Sequence, residues 1–391
     1  MCNLLLNCFD KIMKTKVKLI RTSTVPTSLK TFLSGSLCLL MDRYELVLVS
    51  SPGSALFDLQ KEYGVKTIGV SMERRISPIK DLWSLCKLIR VFQRERPYIV
   101  HSMTPKAGLL CMLAAWITRV PRRVHTFTGL IWPTATGLSR RILMITDWLT
   151  CACATHVIPE GRGVMNDLQQ HITSKPMKVL GYGNVCGIDT SYWNRNNVDT
   201  RQVERIRKDS KFTFIFVGRI VKDKGINELI EAFVHVHENH KVRLVLVGRY
   251  EDKIDPISKD TRRIIDECDD IIYAGPQFGK DLLAYYAAAD CFVLPSYREG
   301  FPNVVIEAGA MGLPSIVTDI NGSREIIENG KNGVVIPPKN AAVLAKAMVY
   351  IIEDVGMRQL MVSNARPMIA SRFERSFVNK CLQEFYDEIM S

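Results

Sequence analysis

The stretch 295-PSYREGFPNVVIEAGAMGLPSIVTDINGSREIIENGKNGVVIPP-338 decides the fold, because it alternates short apolar runs with turn residues at a pace that suits strand, loop, helix and strand again. Just ahead of and overlapping it, CFVLPS (291–296) reads as a buried strand closed by Pro and Ser, and NVVIEAGAM (303–311) reads as a short helix. Only a tight loop separates the two. Gly300 lets the backbone approach a ligand, Pro302 sets the first helical turn, and Asn303 is expected to cap it, so free N–H groups would point outward. Such a helix start attracts phosphate. Glu299 on the loop and Glu307 one turn into the helix would flank that anion with acceptors for sugar or ribose hydroxyls. The alternative is that Glu299 only complements a helix start and Glu307 is a solvated helix residue.

Working outward, the same alternation fills the chain. Strands are expected at 17–22, 44–51, 66–70, 98–102, 123–127 and 155–160, and again at 212–219, 242–248, 271–275, 291–296, 315–318 and 333–337. Helical patterns lie between them. This predicts an α/β protein of two doubly wound, Rossmann-like parallel-sheet domains, residues 1–195 and 196–391, facing each other across a cleft. Ligands in such sheets bind beyond the carboxyl ends of the strands. There, in VGRIVKDKG (217–225), Gly218 and Arg219 follow a strand and Lys224 precedes the Gly that opens a helix. Two cations at that edge suit a diphosphate leaving group, whose charge grows as its bond breaks. A solvated basic loop is the competing reading.

Composition narrows the class. At 391 residues and 47% hydrophobic content the chain exceeds one ordinary domain. Its 11 Cys are scattered, without metal-ligand or disulfide spacing. No run reaches the roughly 20 apolar residues of a membrane span. Residues 1–12 read as a disposable extension ahead of a second start at Met13. The net charge of +12 is one-sided: residues 1–194 hold 25 Lys and Arg against 12 Asp and Glu, whereas residues 195–391 hold 27 against 28. A basic first half suits an anionic membrane surface better than nucleic acid, for which no recognition signature is present. The segments 106–118 and 138–153 are the candidate lipid-facing helices, with core packing as the alternative.

The second half resembles the donor domain of the retaining glycosyltransferases of family 4, on the GT-B fold. FVGRIVKDKG (216–225), LVLVG (244–248), AGPQFGKDLLAYYAAADCFVLPS (274–296), EGFPNVVIEAGAMGLPSIVT (299–318) and GSREIIENGKNGVVIPP (322–338) carry the resemblance. It implies that Arg219 and Lys224 hold the donor diphosphate, that Glu307 binds the ribose hydroxyls and Glu299 the transferred sugar, that the loop Gly300 to Asn303, Phe301 included, offers backbone N–H groups to the sugar and phosphate, and that the base lies near Gly275 and Pro276. The first half, through RTSTVPTSLKTFLSG (21–35), ISPIKDLWSL (76–85), RERPYIVHSMTPKAGLL (94–110) and RRVHTFTGL (122–130), is similar to bacterial enzymes that extend lipid-linked precursors of capsule or O-antigen. His125, placed just after a strand, matches the family's His beside the donor sugar, or is a satisfied, partly buried His. Lys106 could meet an acceptor phosphate. Where many relatives carry a Gly-rich loop after the first strand, this chain has Gly35 alone, which implies a different loop.

Together these expectations describe transfer of a sugar from an NDP-sugar, UDP preferred, to a hydroxyl of a polyprenyl-diphosphate-linked saccharide. They place a peripheral protein at the cytoplasmic membrane face, with the last helix packing back on the first domain. The nucleotide sugar is a substrate, and no cofactor or metal is expected; Asp269-Asp270 reads as a solvated turn. The alternatives are a UDP-sugar 2-epimerase on a related fold and a non-catalytic sugar-nucleotide binding or scaffold protein.

Overall fold

The structure, a computed structural model, describes residues 16–33, 35–73, 77–253 and 255–391. The expected extension 1–12 and the second start at Met13 lie outside the described residues. Contacts group the chain into two units. One takes the described residues up to Pro159, with Asp167–Lys178 and Ile389–Ser391; the other takes Glu160–Asn166 and Val179–Glu388. The single boundary expected at 195 is therefore replaced by a crossing at 178/179 and brief exchanges at 160–166 and at the C-terminus. The physical reason is local bonding: Asn184 N–H donates to Glu160 O at 2.9 Å and Ile188 N–H to Phe373 O at 2.8 Å, so the segment before 195 is already tied into the second unit. The polar stretch at 194–209 is no linker, since it folds into a 3-10 turn at Arg195–Asn197 and a helix at Thr200–Arg207.

The first unit contains strands β1 (Lys18–Thr22), β2 (Glu45–Ser50), β3 (Lys66–Gly69), β4 (Ile99–Met103), β5 (Arg122–Phe127) and β6 (His156–Pro159), all parallel in the order β3-β2-β1-β4-β5-β6. Helices α1 (Pro78–Glu95), α2 (Pro105–Ile117) and α3 (Gly137–Cys153) are among its covers. Helix α2 is largely interior, burying seven residues from Ala107 to Ala115, while α3 leaves Leu138, Ile142, Ile145 and Trp148 exposed beside exposed Arg140 and Arg141. Of the two candidate lipid-facing segments, the first exposes Trp116 and Ile117 only at its end, and the second has the longer open apolar face. No helix among the described residues is long and apolar enough to cross a membrane.

The second unit repeats the plan with β7 (Phe212–Val217), β8 (Val242–Val247), β9 (Ile271–Gly275), β10 (Cys291–Leu294), β11 (Ser315–Thr318) and β12 (Gly333–Ile336), parallel in the order β12-β11-β10-β7-β8-β9. Its helices include α4 (Ile226–His237), α5 (Asn303–Ala310), α6 (Ala341–Glu353) and α7 (Val355–Phe373). Every residue of β8, β10 and β11 is buried, which is why their sequences are unbroken apolar runs rather than alternating ones. The core runs through Phe214, Phe216, Phe233, Tyr286, Phe292 and Phe373, all fully buried. In each sheet the chain reverses direction once, between β1 and β4 and between β7 and β10. Those reversals open the crevices in which doubly wound sheets bind ligands.

Candidate active site

The reversal of the second sheet brings the two stretches singled out by sequence to one place. Strand β7 runs out into Gly218 and Arg219, then into a 3-10 turn at Lys222–Lys224. Gly225 follows at φ 71°, and a Cβ there would lie 2.1 Å from Pro295 O, so only Gly lets this turn press against the end of β10. Lys224 Nζ consequently donates to Glu299 Oε1, which also accepts from Ser296 Oγ at 2.8 Å. Both partners of the ion pair are mostly buried, with side chains 15% and 13% exposed. The expected meeting of Lys224 and Glu299 at one sheet edge is thus a direct bond. Oε2 of Glu299 and two Nζ protons of Lys224 are left for a ligand.

Arg219 belongs to the same edge. Its Nη1 donates to Glu251 Oε2 at 2.8 Å, and Glu251 Oε1 lies 3.6 Å from Arg249 Nε. Burial works against the charge on Arg219, and the hydrogen bond and charge of Glu251 outweigh it, raising the guanidinium above its ordinary value. Nε and Nη2 of Arg219 carry no bond to Glu251. Gly218 N–H is spent on Val247 O at 2.9 Å.

Helix α5 starts differently from expectation. Pro302 is the N-cap residue and no side chain caps the helix; Asn303 is its first residue, and its Oδ1 accepts from Asn184 Nδ2 at 2.7 Å. Asn184, fully buried at φ 58°, in turn takes Cys186 and Gly187 N–H groups on its own Oδ1. The cap is missing because the N-cap position falls on Pro302, whose ring offers no acceptor, while Asn303 stands one place further in and engages Asn184. Val305 N–H donates to Pro302 O at 3.1 Å, which leaves the N–H groups of Asn303 and Val304 at the helix start for an anion. Phe301 is 6% exposed, with its ring 5.5 Å from that of Phe373, so only its backbone could serve a ligand. Gly322 packs against Gly300 O, which a Cβ added at position 322 would approach to 2.2 Å. Glu307 Oε2 accepts from Tyr286 OH at 3.1 Å, and burial pushes its carboxyl up to about 7 against that hydrogen bond. Gly275 ends β9 at φ 66°, with Pro276 next and Gln277 Nε2 bonded to Ala274 O at 2.6 Å.

The two first-unit candidates fare differently. His125 lies inside β5, not after it: it is 1% exposed, bonded through Nδ1 to Ser102 Oγ at 2.8 Å, and set 4.4 Å from the Phe127 ring. Burial holds its imidazole neutral, down at about 3, and a Cβ on Gly108 would strike its ring. The expected strand 123–127 already contains His125, which corrects its placement after a strand; in a strand covered on both faces a His can sit mid-run among apolar neighbours. Lys106 stands in the first turn of α2 and its Nζ meets Asp81 Oδ2 at 2.5 Å, so a phosphate there would have to share it with that carboxylate. Glu251, Tyr286, Ser296 and Asn184 are site residues that sequence reasoning missed; the one signal was an acid three places beyond the Gly that ends LVLVG.

Comparison with known proteins gives concordant results. The model of glycosyl transferases group 1 matches residues 198–368, and that of glycosyltransferase family 4 matches residues 38–183. The capsular polysaccharide biosynthesis glycosyltransferase CapM of Staphylococcus aureus is 31% identical over 353 residues, covering 88% of this chain and 90% of its own length. The Escherichia coli UDP-Gal:alpha-D-GlcNAc-diphosphoundecaprenol alpha-1,3-galactosyltransferase is 28% identical, over 77% of this chain and 78% of its own. Among solved structures, Anabaena HepE in complex with UDP-glucose superposes with a TM-score of 0.79 at 19% identity, over 95% of this chain and 99% of that one. Two parallel six-stranded sheets, an ion-paired cation edge and these relatives together place the chain among the GT-B glycosyltransferases: it belongs to family 4.

Proposed function

We propose that this glycosyltransferase retains configuration, moving a sugar from a UDP-sugar to a hydroxyl of a polyprenyl-diphosphate-linked saccharide without a metal ion. The observation that carries the reading is the Lys224–Glu299 bond at the β7/β10 reversal, beside the uncapped start of α5. The diphosphate lies over that helix start, with Arg219 and Lys224 neutralising the charge that develops as the bond from C1 to the phosphate oxygen breaks. Glu307 receives the ribose hydroxyls, Glu299 orients the sugar, and the base rests by Gly275 and Pro276. The acceptor oxygen attacks C1 from the face the diphosphate leaves, and its proton passes to the departing phosphate oxygen. Glu299 is occupied by Lys224 and Ser296, which suits orientation better than nucleophilic attack.

The donor class is supported by the E. coli relative, named for UDP-Gal, and by the fold shared with a UDP-glucose complex. The acceptor class is supported by that same relative and by a Campylobacter jejuni enzyme, 24% identical, named for N,N'-diacetylbacillosaminyl-diphospho-undecaprenol. The basic first half, with the open face of α3, would serve the cytoplasmic membrane surface where such acceptors reside, and Lys106 would approach the acceptor phosphate. A panel of UDP- and GDP-sugars tested for thermal stabilisation identifies the donor, since a cognate ligand raises the melting temperature by mass action. With that donor and a diphosphoundecaprenol saccharide, turnover should survive EDTA and the new linkage should keep the donor's anomeric configuration by NMR. Inversion, or restoration of activity only by a divalent ion, would overturn the reading.

A further inference from the structure

The loop that follows β8 touches Arg219 and the turn that carries Lys224, and no sequence motif assigns it a role. Glu251, its side chain 13% exposed, holds Arg219 through one nitrogen and leaves the rest of the guanidinium open. Four residues on, Asp255 Oδ2 accepts from Asp223 N–H at 2.7 Å, and Asp255 O accepts from Lys222 N–H at 3.2 Å. These are the backbone groups of the turn that presents Lys224. The loop is itself closed by Asp255 N–H on Glu251 O at 3.3 Å, and its start is stitched to the β7 exit by Ile220 N–H on Arg249 O at 2.9 Å. The bracing reaches the opposite wall as well: Tyr297 N–H donates to Asp223 O at 2.8 Å, and Arg298 Nη2 to Asp223 Oδ2 at 3.0 Å, one residue from Glu299.

We infer that Glu251 and Asp255 are positioning residues for the donor diphosphate, Glu251 acting through Arg219 and Asp255 through the Lys222–Lys224 turn. The inference rests on the reading of Arg219 and Lys224 as the diphosphate cations. An exposed ion pair would contribute little, but Glu251 is largely shielded from water and fixes a side chain that otherwise samples many rotamers. A guanidinium held at one end offers its remaining N–H groups in a constant direction, which matters for a planar donor of fixed geometry.

The test is isothermal titration of the full chain with UDP at pH 8, run as two double-mutant cycles. Glu251→Ala should weaken UDP binding about five- to tenfold, Arg219→Ala by more, and the double variant no further than Arg219→Ala, because coupled residues do not add. Asp255→Ala and Lys224→Ala should couple in the same way. Glu251→Gln, whose amide oxygen still accepts from the guanidinium, should stay within about threefold of wild type. If Glu251→Ala does not fold, Glu251→Asp replaces it, since shortening the chain draws the carboxylate off Arg219 without opening a large cavity. Additive losses, or unchanged or tighter UDP binding by the folded Glu251→Ala or Glu251→Asp variant, would overturn the inference while leaving the donor site intact. Wild-type UDP binding by both Arg219→Ala and Lys224→Ala would instead overturn the donor site, and the inference with it.

Discussion

At the scale of single residues, two carboxyls carry testable consequences. Glu307 is raised to about 7 by burial against the Tyr286 hydroxyl, so near neutral pH a large fraction is protonated and a poorer acceptor for hydroxyls. Affinity for UDP-glucose, whose phosphodiesters do not titrate in this range, should therefore rise as pH climbs through about 7. Glu307→Gln should flatten that profile and weaken binding at high pH by about tenfold, the worth of a hydrogen bond to a charged group. Glu160, 3% exposed, is pushed up to about 8 by burial, with the Val185 N–H opposing. Its folded-state value exceeds the unfolded one, so the wild type loses stability as pH rises from the ordinary carboxylate range through about 8. Glu160→Gln escapes that loss: melting temperatures should match near pH 4 and diverge by roughly 5 °C or more in the variant's favour at pH 9. Residue roles were only partly legible in sequence. Lys224 and Glu299 sit in recognisable loops, whereas Asn184 meets Asn303 across 119 positions and Tyr286 meets Glu307 from inside an apolar helix.

Among the elements, the strands were the most legible, because parallel strands covered on both faces must be written in Val, Ile, Leu and Phe. All twelve lie within two residues of their expected limits. Helix starts were less so. Helix α5 begins one residue earlier than a cap at Asn303 would allow, and Asn303 instead meets Asn184, 119 positions upstream, which no local pattern records. The junction between the Lys222–Lys224 turn and α4 is the most constrained element boundary of the site. Gly225→Ala should cost about 1–3 kcal/mol for the left-handed backbone alone, and more for the clash with Pro295 O. The expected outcome is a melting temperature several degrees lower and loss of UDP binding, as the turn lifts Lys224 away from Glu299. Retained UDP affinity in this variant would mean that Lys224 can act from a displaced turn.

For the molecule as a whole, charge and apolar exposure coincide in the first unit. The basic excess lies in residues 1–194, and α3 exposes Leu138 by 72%, Ile145 by 56% and Trp148 by 52% beside Arg140 and Arg141. Vesicles containing phosphatidylglycerol should sediment the protein, neutral vesicles much less, and Ile145→Glu with Trp148→Glu should abolish the difference without lowering the melting temperature. Equal recovery in the supernatant with both lipids would remove the membrane assignment. The unit boundary was the least legible global feature, since 179–194 carries no strand pattern yet is bonded to the second unit through Asn184 and Ile188. The resting ion pairs have a last implication. Because Lys224 and Arg219 already hold Glu299 and Glu251, the proposed donor site brings its own counter-ions to these two cations. Inorganic phosphate and sulfate should bind there much more weakly than UDP, and raising ionic strength should cost UDP less than about threefold in affinity, where a bare cationic patch would lose far more. A donor site of this kind would select by the directions of hydrogen bonds rather than by net charge, and would discriminate against other polyanions.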